Sequence, residues 1–232
     1  MTEDFGMDHN NDRNVVVPGD LLSDDPKKSG EGTYVKDGKV RSLLYGMASS
    51  YKDKVRVIPL AGKYVPAPGD TVIGTVQDIV FSNWIVNINS PYEGLLHISE
   101  LPRKIEMNEM SKYLRIGSSV MARVKDVDST MKVELTMNDR RLGILTRGRV
   151  AEISPTRVPR LIGKGGSMIN MLKKELNCNL FVGQNGRIWV DGNDDDMDLA
   201  LKTILIIEKE AHTTGLTDRI MDFLRSENEA RS

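Results

Sequence analysis

The chain has 232 residues, with 32 lysines and arginines against 33 aspartates and glutamates, a formal net charge of −1 and a pI near 6.3. That balance excludes a protein coated in positive charge, so any contact with nucleic acid has to come from a local patch. The single cysteine, Cys178, excludes an internal disulfide framework and fits a reducing compartment, and no segment has the length and continuous apolarity of a membrane span.

Residues 1–13, with Asp4, Asp8, Asn10, Asn11 and Asp12, are polar and turn-prone. They are expected to form a disordered tail without a signal-peptide core, which points to a cytoplasmic protein. From 14 to 65, short β-rich runs alternate with turn residues: 15–17, then Pro18-Gly19-Asp20, then 33–35, 40–47 and 55–58. Asp37-Gly38 is a hairpin signal, because tight two-residue turns need positive φ. This segment reads as a small β domain. Pro66 and Pro68-Gly69-Asp70 stiffen a connector. Over 66–138 the pattern then predicts strands at 71–80, 84–88, 93–98, 120–127 and 132–137, with a partly helical connection over 99–117. Five strands with one long connection between the third and fourth is the arrangement of an oligonucleotide-binding barrel.

Over 147–212 the period changes. The pattern predicts a strand at 150–153, a short helix at 158–162, the turn Gly163-Lys164-Gly165-Gly166, and a helix at 167–176 that Ser167 is placed to cap. Strands at 178–182 and 187–190 flank Gly183-Gln184-Asn185-Gly186, a second hairpin signal. A strong helix runs from Asp194 to about His212, and 213–232 holds a C-terminal helix. The fold class is therefore multidomain and mainly β, with a C-terminal α+β domain.

The glycine turn is the first chemical signal. Its glycines let the chain turn sharply and leave no side chain between peptide and phosphate, Lys164 supplies charge, and the following amides open a helix. Arg140, Arg141, Arg147, Arg149, Arg157, Arg160 and Lys164 lie in a segment whose only acid is Glu152. A phosphate-binding Walker loop is excluded by spacing, since the required glycine would fall at Val158, and a dinucleotide fingerprint fails at Met168.

In this order of elements the turn resembles a eukaryote-type KH domain, which makes Arg157, Arg160, Gly163, Lys164, Gly165 and Gly166 its expected RNA-binding residues. The preceding barrel resembles the S-one RNA-binding motif through Gly74-Thr75-Val76, Phe81 with Trp84, and Tyr92-Glu93-Gly94-Leu95-Leu96-His97-Ile98-Ser99-Glu100-Leu101. That resemblance implies that Phe81, Trp84 and His97 form a face on which bases stack, with Arg123 and Lys125 guiding phosphates. Without the resemblance, a large aromatic is more often core than binding surface. The family places glycine directly after the first aromatic, whereas this chain has Ser82-Asn83.

The full plan, with Val17-Pro18-Gly19-Asp20, Gly32-Thr33-Tyr34 and Asn89-Ser90-Pro91-Tyr92, is similar to the KH-bearing cap proteins of the archaeal RNA exosome. The resemblance implies a non-catalytic binder of single-stranded RNA with a preference for A-rich tails. Three copies, alone or mixed with the other cap protein, would sit on a hexameric ring of ribonuclease-PH-like subunits through the N-terminal domain and feed the RNA 3′ end inward. No catalytic centre, metal site or cofactor is expected. His9, His97 and His212 have no metal-ligand spacing, and the acidic run from Asp191 to Asp198 reads as helix capping. A polynucleotide phosphorylase would carry its KH domain first and needs large catalytic domains. An independent ribosome- or translation-associated RNA-binding factor remains the alternative.

Overall fold

The computed structural model describes residues 14–51, 53–211, 213 and 215–231. The expected tail at 1–13, with His9, and also His212 lie outside the described residues. The chain divides into two compact units, one up to Gly62 and one from Lys63 onward.

The first unit holds strands β1 (Val15–Val16), β2 (Leu21–Ser23), β3 (Thr33–Lys36), β4 (Lys39–Ser42), β5 (Gly46–Tyr51) and β6 (Lys54–Pro59). They form two antiparallel sheets, ordered β1-β5-β6 and β2-β4-β3. Asp37 and Gly38, both at positive φ, make the two-residue turn between β3 and β4. The run 40–47 is two strands rather than one. A corner at Ser42, whose hydroxyl donates to the Leu44 carbonyl at 2.6 Å, sends the chain from one sheet to the other. Val16, Leu22, Val40, Val55 and Val57 form the small core.

In the second unit, β7 (Thr71–Val80), β8 (Asn83–Asn87) and β9 (Gly94–His97) precede the short helix α1 (Met110–Tyr113), β10 (Ser119–Val127) and β11 (Val133–Thr136). β7 pairs with β8 and β10, β8 with β9, β9 in parallel with β11, and β11 with β10. The five strands therefore close on themselves and leave no open edge. A short β12 (Gly143–Leu145), not anticipated from the sequence, adds to β10.

Alternation along β8 sends Trp84, Val86 and Ile88 into the barrel and leaves Asn83, Ile85 and Asn87 outside. Trp84 is thus 0% exposed. Its Nε1–H donates to the Leu114 carbonyl at 3.1 Å, and its ring is tilted against Tyr113. This corrects the expectation of Trp84 as a stacking surface: it is the largest side chain of the barrel core.

The last domain runs β13 (Arg149–Glu152), α2 (Val158–Ile162), α3 (Ser167–Glu175), β14 (Asn179–Val182), β15 (Arg187–Asp191), α4 (Asp194–Glu210) and α5 (Leu216–Arg231). The antiparallel sheet is ordered β13-β15-β14. Its core joins Leu161, Leu172, Ile188, Val190, Leu199, Ile204 and Ile207 with Leu216, Ile220 and Leu224 of α5, the last three spaced four apart on one helix face. Ser167 is not the cap of α3. Gly166, at φ 82°, occupies the cap position and offers no side chain. Asn193 does cap α4, accepting from the Asp196 amide at 2.8 Å.

Replacing Trp84 by Ala removes this core and strands the Leu114 carbonyl, and should cost about 3–5 kcal/mol. Urea denaturation checks it, with Phe81→Ala as the contrast, shifting stability by no more than about 0.5 kcal/mol.

Candidate nucleic-acid interface

The barrel face is built from the residues that strand parity turns outward. Asn83 on β8 stands opposite His97 on β9. These two, with Leu95, Ser99, Glu100, Lys125, Lys132 and Glu134, line an open hollow of about 310 Å³. Phe81 sits on the tip between β7 and β8 and is 90% exposed at φ 50°. The left-handed residue of this turn is therefore the aromatic itself, not Ser82 or Asn83. A bulky side chain in that region is uncommon, and here it holds the ring out in solvent.

Hydrogen bonds fix the polar groups of the hollow. The Ser99 amide donates to His97 Nδ1 at 3.2 Å, and the Ser99 hydroxyl lies 2.7 Å from the same atom. An accepting Nδ1 leaves Nε2 as the N–H of the neutral ring. Lys125 donates to Glu100 at 2.5 Å. The bond holds the Glu100 carboxyl below its ordinary range and pushes the Lys125 ammonium up. Arg123 donates to Asp139 at 2.8 Å. The Asp139 carboxyl is lowered first by the Arg141 amide and then by Arg123.

Phe81, His97 and Lys125 thus belong to one outer region of the barrel, with Arg123 a short step away along β10 and already paired. Trp84 is removed from it. Asn83 and Glu100 were missed by sequence reasoning. The signal was available: Asn83 is the register partner of His97, and an acid on the connection after β9 lies beside Lys125.

The glycine turn lies in the other module. Gly163, Gly165 and Gly166 all take positive φ, and a side chain at Gly163 would meet the Met168 amide at 2.7 Å. Glycine at 163 therefore serves close packing onto α3, while Lys164 and Gly165 are exposed. Arg157 is half-buried, and Arg160 is exposed with its guanidinium donating to the Thr213 carbonyl at 2.9 Å. Arg149, part of the basic run, is bound to Asp194 and Asp198 of α4. Those acids neutralise an arginine, and Asp194 also lies in the first turn of α4, where the positive end of the helix dipole favours a carboxylate. Among the described residues no group of acids, histidines and cysteine is arranged to hold a metal ion. Cys178 is buried, which raises its thiol above the ordinary range.

A closed five-stranded barrel with an exposed aromatic tip, followed by a strand-helix-turn-helix-strand-strand-helix domain, defines a multidomain protein of the S1 and KH class. Sequence comparison matches 65–138 to the S1 RNA binding domain, 148–196 to the KH domain and 13–61 to the exosome RNA binding protein RRP4 N-terminal domain. Exosome complex component Rrp4 of Methanosarcina mazei is 57% identical over 93% of this chain and 83% of its own length. The Methanothermus fervidus protein of the same name is 40% identical over 92% of this chain and 96% of its own. A crystal structure described provisionally as that of an exosome complex RNA-binding protein is 39% identical over 74% of this chain and all of its own, with a TM-score of 0.69. The chain belongs to the Rrp4 family of exosome complex components. Among the described residues no helix is long and apolar enough to cross a membrane.

The Glu100–Lys125 pair has a defined pH signature. Its stabilisation is complete between the unfolded values of the two groups, about 4.3 and 10.4. It fades as pH falls through the depressed carboxyl value, and again as pH rises through the raised ammonium value. Carboxyl carbon NMR should show Glu100 titrating below the ordinary glutamate range in the native protein and moving back up in Lys125→Met.

Proposed function

We propose that this chain is a non-catalytic RNA-binding cap subunit of the exosome. It captures single-stranded RNA, with A-rich tails favoured, and guides the 3′ end into a hexameric ring of ribonuclease-PH-like subunits. The observation that carries this reading is the solvent-held Phe81 beside the His97 hollow, on a chain of the Rrp4 family. A bare aromatic on a rigid turn accepts any base, whereas the polar floor offers hydrogen-bonding groups to base edges and phosphates.

Phe81 and His97 act as the stacking platform, and Lys125 and Arg123 hold phosphates by exchanging their carboxylate partners for the RNA backbone. Arg157, Arg160, Gly163, Lys164, Gly165 and Gly166 form the second contact at the KH turn. The N-terminal β domain docks on the ring, three copies completing the cap, alone or mixed with the other cap protein, in the cytoplasm. Val15, Val17, Leu21, Val35, Leu43 and Tyr45 leave that domain with apolar surface suited to a partner. The reading assigns no metal, cofactor or reaction to this chain.

Fluorescence anisotropy with labelled single-stranded RNA tests the binding face. Phe81→Ala should weaken affinity by roughly 5- to 150-fold, the equivalent of about 1–3 kcal/mol for one stacked base. Lys164→Ala should weaken it less and reduce the salt dependence. Unchanged affinity in both variants would remove the two-contact reading.

A further inference from the structure

The turn that follows β9 is bonded to both halves of the proposed RNA face. His97 ends the strand at φ −78° and ψ 149°, and residues 98–100 form a single 3₁₀ turn. Two successive amides of this turn serve the platform. The Ile98 amide donates to the carbonyl of Ser82, the residue directly after Phe81, at 2.9 Å, and the Ser99 amide donates to His97 Nδ1 at 3.2 Å. The Met137 amide donates to the Glu100 carbonyl at 2.8 Å, so the chain leaving β11 holds the far end of the turn.

The Ser99 amide decides the chemistry of the ring. Nδ1 of a neutral imidazole is either a donor or an acceptor, and an amide N–H can only donate, so Nδ1 accepts and the proton sits on Nε2. The Ser99 hydroxyl, 2.7 Å from the same nitrogen, is able to take either role and donates alongside the amide. His97 and Ser99 are both exposed. A histidine unbonded in water rotates and samples both tautomers. Here a local bond from two residues on meets the in-plane lone pair of Nδ1, which selects one tautomer and one ring orientation. Among the described residues no group accepts from Nε2. His97 lines the hollow, with Asn83 opposite it.

We propose that Ser99 is a positioning residue of the RNA face. It holds His97 as the Nε2–H tautomer in one orientation, so that the hollow offers a fixed hydrogen-bond donor to an acceptor atom of the RNA, whether on a base edge or a phosphate. The inference rests on the RNA-binding reading above. The hydroxyl matters beside the amide because it makes the shorter contact: alanine at 99 keeps the amide, loses the partner at 2.7 Å, and frees the exposed ring to rotate. Holding the ring in place raises affinity by lowering the ordering cost of binding, without adding a contact. Threonine carries the same hydroxyl and preserves the arrangement.

Long-range proton–nitrogen NMR of the imidazole tests the tautomer in the native protein, with His97→Asn assigning the signal by its loss. On the neutral ring, at about pH 8, His97 should be Nε2–H alone. A proton on Nδ1, or an even mixture, overturns the proposal. Fluorescence anisotropy with single-stranded RNA tests the consequence. Ser99→Ala should admit the second tautomer and bind roughly 2- to 12-fold more weakly, the range of one hydrogen bond, and Ser99→Thr should return both readouts to native. His97→Asn, whose Oδ1 still accepts the Ser99 amide but which has no Nε2–H, should keep native thermal stability and bind more weakly. Native affinity in Ser99→Ala, or a loss that Ser99→Thr does not restore, contradicts the assignment. Abasic RNA separates the two acceptors: a deficit that persists on it assigns a phosphate, and one that disappears assigns a base. Failure of the native protein to bind RNA at all would instead overturn the RNA-binding reading and leave the tautomer result standing.

Discussion

Closure of five strands around Trp84 is the constraint on which the rest of the structure depends. Once β11 pairs with both β9 and β10, every barrel residue is committed to the inside or the outside by parity. Trp84 goes in and fills the centre. Asn83, His97, Lys125 and Glu134 go out and make the hollow. The same closure fixes the Thr71 end of β7, where Gln184 and Asn185 of the KH hairpin bond to Thr71 and Ile73, at the far end of the strand from Phe81. Core, candidate RNA face and interdomain contact are thus three consequences of one set of strand registers.

The electrostatics of the second unit follow a related economy. In sequence the basic residues from Arg140 to Lys164 stand almost without acids, yet the fold brings two acids of α4 to Arg149 and pairs cations elsewhere in the unit as well. Arg149 is matched by Asp194 and Asp198, Arg187 by Glu152, Arg123 by Asp139 and Lys125 by Glu100. The exposed pairs among these contribute little to stability, whereas the Arg187 guanidinium is buried. At Arg123 and Lys125 a phosphate would have to displace a carboxylate to gain the cation. On the proposed RNA face, stacking on Phe81 would then carry more of the binding than a field of charge, in keeping with a chain whose net charge is −1.

Much of the fold was legible because the barrel strands alternate cleanly and the KH elements come in an order that few folds share. The strand at 71–80 and the helix at 158–162 match the structure residue for residue. The face of Trp84 was misjudged for a physical reason. A motif names residue types, but parity decides orientation, and the alternation of Trp84, Val86 and Ile88 already put the tryptophan on the apolar side. The corner at Ser42 was hidden because both strands it separates are equally β-prone. Ser167 was misplaced because three glycines at positive φ carry the chain into α3 without a side-chain cap. The packing of Asn185 was out of reach of local pattern. Gly-Gln-Asn-Gly reads as a turn by itself, and only the folded chain brings the Asn185 side chain to the backbone of Ile73 and Ile88.

The central claim is that this chain binds RNA on behalf of a ring that does the chemistry. The most direct measurement is the decay rate of single-stranded RNA by a reconstituted ribonuclease-PH-like ring, with the native chain, with Phe81→Ala, and with no added chain. The account predicts faster decay with the native chain, a smaller acceleration with Phe81→Ala, and no decay by the chain alone. Unchanged decay from a ring shown by native mass spectrometry to carry the chain, or RNA cleavage by the chain by itself, would contradict it.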